Sequence, residues 1–444
     1  MKTIGIDIGT TTISGIVLDT ESMETPDKIT IKHECAMSSD IPGAMVQDAE
    51  LLVSKAVQVL DVLIARCPDC RAVGLTGQMH GIVYTGAEGN AVSPLYTWQD
   101  RQGDIAPSGG ISMIREIHER TGRTEASGYG LVTHLCLARD GRVPSGAEQL
   151  CTVPDYLGMK LTGRKRPLMH AGMAASLGFY LVREGRFDYE ALKSLDMQEE
   201  LLPEITEDIQ CAGFYRGLPV TAALGDNQAS FYGAVGERMD AALLNIGTGG
   251  QISVLSDTAP HLPGIEVRPF MNGRYLLAGA SLCGGRAYAV LERFFREYMK
   301  AAGGTDAEQY DVMLRLSKKA LEKRKEGAGG GTDSLLVDTA FQGTRIQPDK
   351  AGSIRNIRED SFLPGELILG VTEGIVDELY EFWQIMKEGT GRQLTLLVGS
   401  GNGLRSNPVM QEIAERRFGC PLILPRCLEE AAAGAALAAA GVSD

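Results

Sequence analysis

Histidine and tryptophan are scarce in this chain of 444 residues, with six of the first and two of the second. No His stands at zinc-finger spacing from the one Cys-x-x-Cys pair, Cys67-Pro68-Asp69-Cys70, which therefore reads as structural or surface thiols. No run of eighteen apolar residues occurs, so a transmembrane helix is not expected. The opening Met1-Lys2-Thr3-Ile4-Gly5-Ile6-Asp7 carries a charge too early for a secretory leader and reads as a buried strand. Basic residues are in deficit: Lys+Arg 43 against Asp+Glu 57, for a net charge of -14. Nucleic acids and anionic membranes are bound by basic surfaces, so neither is expected as a partner. Nine Cys, an odd number in a long chain, fit reduced thiols in the cytoplasm better than a disulfide frame. No Gly-Lys pair occurs, which excludes a Walker A loop. Gly399-Ser400-Gly401-Asn402-Gly403 follows a predicted strand, but Leu404 breaks the dinucleotide fingerprint. Any ATP site must use another architecture.

Glycine, by contrast, is abundant, at 54 residues. The most informative pattern built on it is an internal echo. Residues 5–19 read GIDIGTTTISGIVLD and residues 243–257 read LLNIGTGGQISVLSD. They share Ile8/Ile246, Gly9/Gly247, Thr10/Thr248 and Asp19/Asp257 without a gap. Each is an apolar strand, a Gly-Thr turn and a second apolar strand, the pattern of a hairpin. The echo predicts two similar α/β domains, 1–235 and 236–444, that meet face to face. Periodicity predicts a helix over 47–66, strands over 71–75 and 394–398, and a helix over 408–418. A last Ala-rich helix over 429–440 has two readings, close packing or high helix propensity alone. Residues 326–333, EGAGGGTD, read as a loop.

Four motifs can carry chemistry. In Asp7-Ile8-Gly9-Thr10-Thr11-Thr12, the turn amides and hydroxyls can reach a phosphate, and Asp7 can hold a hydrated Mg²⁺. An ordinary hairpin turn is the bland alternative. Asp226, in Leu224-Gly225-Asp226-Asn227, opens a helix and is placed either as a base or as an N-cap. Gly77-Gln78-Met79-His80-Gly81 and Trp98-Gln99-Asp100-Arg101 cluster amides, rings and charges suited to a polyol. A lone His is nonetheless satisfied structurally more often than not.

In combination these motifs resemble the FGGY carbohydrate kinases of the actin-like ATPase superfamily. Asp155-Tyr156-Leu157, Leu161-Thr162-Gly163, Ala278-Gly279-Ala280-Ser281 and Glu430-Ala431-Ala432-Ala433-Gly434 add to the likeness, which runs from residue 4 to about 440. The resemblance implies two ribonuclease-H-like domains flanking a central cleft. It implies ATP-dependent phosphorylation of a ketose at its terminal primary hydroxyl, with Mg²⁺. Asp226 would be the catalytic base. Gln78, Met79, His80, Trp98, Asp100, Asp226 and Asn227 would bind the sugar. Asp7, Thr10, Thr11, Thr12, Gly247 and Thr248 would line the phosphates, and Gly279, Cys283, Gly401 and Ser406 the nucleoside. Thr97-Trp98-Gln99-Asp100, Arg166-Pro167-Leu168-Met169, Ala174-Ala175-Ser176 and Gln228-Ala229-Ser230 resemble the members of that family that act on a seven-carbon ketose. Xylulose or another polyol is the alternative substrate. A nucleotide-driven actin-like binding switch is the alternative from another class. A homodimer is compatible with either.

Overall fold

The computed structural model describes residues 1–326, 334–345 and 347–442. The glycine-rich loop expected over 326–333 lies, except for Glu326, outside them. The chain divides into two compact units. One comprises Met1–Gly236, Arg268–Tyr275 and Cys427–Asp444, the other Glu237–Val267 and Leu276–Arg426.

The first unit is built on a seven-stranded sheet. Its strands are β1 (Lys2–Ile8), β2 (Thr12–Asp19), β3 (Glu24–Lys32), β4 (Val73–Gly77), β5 (Cys211–Tyr215), β6 (Leu218–Thr221) and β7 (Leu224–Gly225). The order is β5-β6-β4-β1-β2-β3, with β7 also paired to β4. β1 and β2 form the expected hairpin, Ile8 opposite Ile13, while β4 lies parallel to β1. Helix α1 (Ala49–Arg66) starts where the Asp48 carboxylate accepts the Leu51 N–H at 2.9 Å. It buries Leu52, Ala56, Val59, Leu60 and Leu63, the face the periodicity predicts.

The second unit repeats the arrangement. Strands β8 (Ala241–Ile246) and β9 (Gly250–Ser256) are the second hairpin, and β10 (Leu396–Ser400) lies parallel to β8. Its own core gathers Leu244, Ile252, Leu277, Ile375 and Trp383 around helix α2 (Pro364–Thr390). The shared sequence pattern is thus a shared topology: a hairpin whose first strand has a parallel neighbour.

The C-terminal helix, Glu430–Ala440, packs in the first unit, although the division at 235/236 leaves it with the second half. It presses so closely on the sheet that a Cβ at Gly5 would overlap the Ala432 carbonyl, and one at Gly74 the Ala435 carbonyl. Side chains with no bulk allow backbone-to-backbone contact here. Close packing, beyond propensity, therefore accounts for the alanines.

Candidate active site

Parallel strands deliver their C-terminal ends to one edge of a sheet, where ligands of α/β folds bind. In the first unit, Asp7 and Leu224 both stand in register with Thr76 of β4. Asp7 at the end of β1, Gln78 just past β4 and Asp226 just past β7 are therefore neighbours at that edge.

Asp226 is the first residue of helix Asp226–Val235, whose N-cap is Gly225 with no side-chain cap bond. Its carboxylate is thus not the helix cap, which removes the bland reading. Asn227 Nδ2 donates to Asp226 Oδ1 at 3.1 Å. Burial raises the Asp226 pKa, against the opposing charge of Arg268 and hydrogen bonds from Asn227. Asp7 is pushed up to about 7 by burial of its carboxylate, with the charges of Asp226 and Glu429 adding to the shift. Neither Arg268 nor Glu429 was legible in the sequence, because both arrive from far along the chain.

The Gly9-Thr10-Thr11 turn is closed by Gly9 N–H donating to Thr12 O at 2.9 Å. Trp98, 44 % exposed, donates its indole N–H to Thr10 Oγ1 at 3.0 Å, so it attaches to this turn. His80 has a positive φ of 73°. Its backbone N–H donates to Ser176 Oγ at 3.0 Å and its Nδ1–H to Ser176 O at 2.7 Å. Its ring stacks on Tyr129 with centroids 5.0 Å apart. Tyr129, absent from the expected set, therefore joins it. Its signal was a lone aromatic in a Gly-Tyr-Gly segment.

Two of the expected sugar contacts, like Gln78, are nearly closed to solvent. Met79 is 3 % exposed and lies under Gly225, so it supports the Asp226 turn from below rather than forming an open wall. Asp100 is fully buried, with Oδ1 accepting Gln102 N–H at 3.0 Å and Oδ2 accepting Gln102 Nε2 at 2.8 Å. Thr133 and the Met45 backbone also bond this carboxylate.

In the second unit a cavity of about 740 Å³ opens beside the Gly247-Thr248 turn. Arg286, Tyr288, Tyr310, Asn402, Ser406 and Asn407 also line it. Gly285 N–H donates to Gly247 O at 2.8 Å and Arg286 N–H to Thr248 O at 3.0 Å, tying the turn to the start of helix Gly285–Ala301. The volume suits a nucleoside-sized ligand. Ser406, expected near the nucleoside, lies on this wall. Gly401 backs onto the Ile246 carbonyl with φ +80°, behind the wall. Gly279 and Cys283 are not among the lining residues of this cavity: Gly279 is covered by Phe382 of α2, and Cys283 is 1 % exposed in the core. Gly284-Gly285-Arg286 at a strand-to-helix turn was the readable signal for the side they were meant to form.

Family models decide the class. The N-terminal domain of the FGGY family of carbohydrate kinases matches residues 2–233, and its C-terminal domain matches residues 242–441. The chain belongs to the FGGY family of carbohydrate kinases. It is an ATP-dependent sugar phosphotransferase with the two-domain α/β fold of the actin-like ATPases. This FGGY kinase is 28% identical to the sedoheptulokinases of Mus musculus and Homo sapiens, over 98% of its own length and 96% of theirs. Its fold is similar to that of a xylulose kinase from Rhodospirillum rubrum, with a TM-score of 0.82 at 21% identity over 100% of this chain and 91% of that one. Among the described residues no helix is long and apolar enough to cross a membrane.

The residues present fit a magnesium ion. Among the described residues no group of three or more His, Cys, Asp or Glu forms a cage. Mg²⁺ needs only one or two carboxylates besides phosphate oxygens and water. Burial and the charges of Asp226 and Glu429 disfavour the ionised form of Asp7, a penalty that a divalent cation would offset.

Proposed function

We propose that this FGGY kinase phosphorylates the terminal primary hydroxyl of a ketose, with sedoheptulose as the first candidate and sedoheptulose 7-phosphate as product. The end-to-end likeness to two sedoheptulokinases carries the choice of sugar. For the chemistry, Asp226 is assigned as the base. Its raised pKa makes it a better base than an exposed aspartate, and the Arg268 charge keeps its ionised form accessible. Asp226 takes the hydroxyl proton as the sugar oxygen bonds to the γ-phosphorus and the bond to the β-phosphate oxygen breaks, releasing ADP.

Phosphoryl transfer asks the protein mainly for positioning and charge stabilisation. Thr10, Thr11 and Thr12, and in the other unit Gly247 and Thr248, are assigned to phosphate oxygens. The cavity lined by Tyr288, Asn402 and Ser406 is assigned to the nucleoside. Asp7 would hold Mg²⁺, whose charge neutralises the phosphate oxygens. His80, fixed by Ser176 and Tyr129, presents its ring to sugar hydroxyls.

The test is ADP release across ketoses and polyols of three to seven carbons. The expected result is a higher kcat/KM for sedoheptulose than for D-xylulose. If xylulose or another five-carbon ketose leads, the kinase stands and the seven-carbon assignment falls. In the same assay Asp226→Asn should lower turnover by ~10²–10⁴-fold with ATP affinity nearly unchanged. Near-native turnover would remove Asp226 from the mechanism.

A further inference from the structure

The first phosphate turn is held by a buried polar chain in which two members, His33 and Gln47, have no part in the sugar and phosphate assignments. The Thr10 carbonyl accepts two hydrogen bonds, from His33 Nε2 and from Gln47 Nε2, each at 2.9 Å. Gln47 Oε1 accepts from Gln78 Nε2 at 3.1 Å. All three side chains are nearly closed to solvent, at 2 %, 6 % and 2 % exposure for His33, Gln47 and Gln78.

The donors and acceptors allow one assignment only. A carbonyl can only accept, so both groups facing Thr10 O must donate. Gln47 therefore points its nitrogen at Thr10 and its oxygen at Gln78, and a flipped amide would oppose like groups at both ends. His33 Nδ1 accepts the Cys35 N–H at 3.2 Å, so the ring hydrogen sits on Nε2 and the ring is neutral. The trans peptide Thr10–Thr11 is planar. Pinning its C=O toward His33 and Gln47 aims the Thr11 N–H to the opposite side, where a phosphate oxygen can meet it.

One end of the chain has a polar atom to spare. Gln78 Oε1 is buried and has no partner, while its Nε2 is divided between Gln47 at 3.1 Å and the Gly9 carbonyl at 3.5 Å. We propose that Gln47 is a positioning residue that couples the sugar segment to the phosphate turn. A sugar hydroxyl donated to Gln78 Oε1 fixes the Gln78 amide, Gln78 fixes Gln47, and Gln47 with His33 sets the Thr10–Thr11 peptide. The proposal rests on the assignment of Gln78 to the sugar and of this turn to phosphate.

Three variants dissect it. Gln47→Glu keeps the acceptor for Gln78 but sets an oxygen against the Thr10 carbonyl. Gln47→Leu removes both bonds. His33→Gln keeps a donor near the Nε2 position. Steady-state kinetics use the ketose with the highest turnover in the panel above. ADP binding is read from Trp98, whose indole bonds to Thr10 and whose only fellow tryptophan, Trp383, is buried in the other unit. Gln47→Glu should raise KM for ATP by ~10-fold, the scale of one hydrogen bond, while the ketose Kd without nucleotide stays within about twofold. The ketose should tighten ADP binding in the native chain and fail to do so in Gln47→Leu. His33→Gln should keep a near-native KM.

Unchanged KM in Gln47→Glu, or an equal effect of ketose on ADP binding in Gln47→Leu and the native chain, overturns the proposal. Should Gln47→Leu not fold, the two size-conserving variants still decide it. If no sugar of the panel is phosphorylated, the functional reading fails. The positioning claim is then judged alone, by whether Gln47→Glu weakens the Trp98 response to ATP.

Discussion

At the scale of single residues, charge placement dominates. Asp7 titrates at about 7 in the folded chain, because burial and the neighbouring charges of Asp226 and Glu429 disfavour its ionised form. In the unfolded chain an aspartate titrates near 3.9. Between these values the folded chain holds a proton that the unfolded chain has released. Stability contributed by this group is therefore present at low pH and lost as pH rises through about 4 to 7. Asp7→Asn removes the penalty. Without metal or nucleotide, Asp7→Asn should be more stable than the native chain at pH 8, by on the order of a few kcal/mol and with a higher melting temperature, and the two should converge below pH 4. Its kinase activity should fall at the same time, since stored charge at active sites trades stability for function. Equal melting temperatures at pH 8 would mean that Asp7 is not under strain. The types of residue at this site were legible in the sequence, but their exposure was not. Met79 and Asp100 have the chemistry of sugar ligands, yet one packs beneath Gly225 and the other is bonded to Gln102. Tyr129, Arg268 and Glu429 reach the site by tertiary folding, which local pattern does not encode.

Individual elements were read more reliably than individual contacts, for a physical reason. A Gly-Thr turn between two apolar runs specifies its hairpin locally, and both hairpins form at the expected place. Helix Pro408–Phe418 has the expected bounds, because Pro at its first turn and Gly419 after its end are local signals. Strands β4 and β10 each begin two residues later than periodicity suggests. What the sequence left open was the partner of the Ala-rich C-terminal helix, since small residues permit close packing without naming the surface. The structure supplies Gly5 and Gly74 as that surface. At Gly74 an added methyl would collide with the backbone of the helix, which cannot rotate away as a side chain can. Gly74→Ala should therefore cost about 1–3 kcal/mol or more in urea unfolding, above the usual range for a surface substitution. A variant as stable as the native chain would contradict the contact.

For the molecule as a whole, the repeated hairpin gives two units with separate cores, one around Ile4, Ile6 and Leu52 and the other around Leu244, Ile252 and Trp383. The internal echo revealed that repetition, while the return of Arg268–Tyr275 and Cys427–Asp444 to the first unit has no local signature. The ligand assignments follow the same division, with ketose contacts in the first unit and the nucleoside cavity in the second. A ligand that binds only the folded form stabilises what it touches, by about 2.7 kcal/mol at a hundredfold excess over its Kd. Hydrogen exchange can read that stabilisation segment by segment, because local opening reports local stability. ADP alone should slow exchange over 247–249, 285–289 and 402–407. The ketose alone should slow it over 78–80, 98–99 and 226–228. Both ligands together should protect residues 9–12 more than the sum of the two separate effects, since Gln78, Gln47 and Thr10 are joined by hydrogen bonds. ADP protection confined to 78–80 and 226–228 would reverse the two assignments, and strict additivity over residues 9–12 would separate the sugar from the phosphate turn.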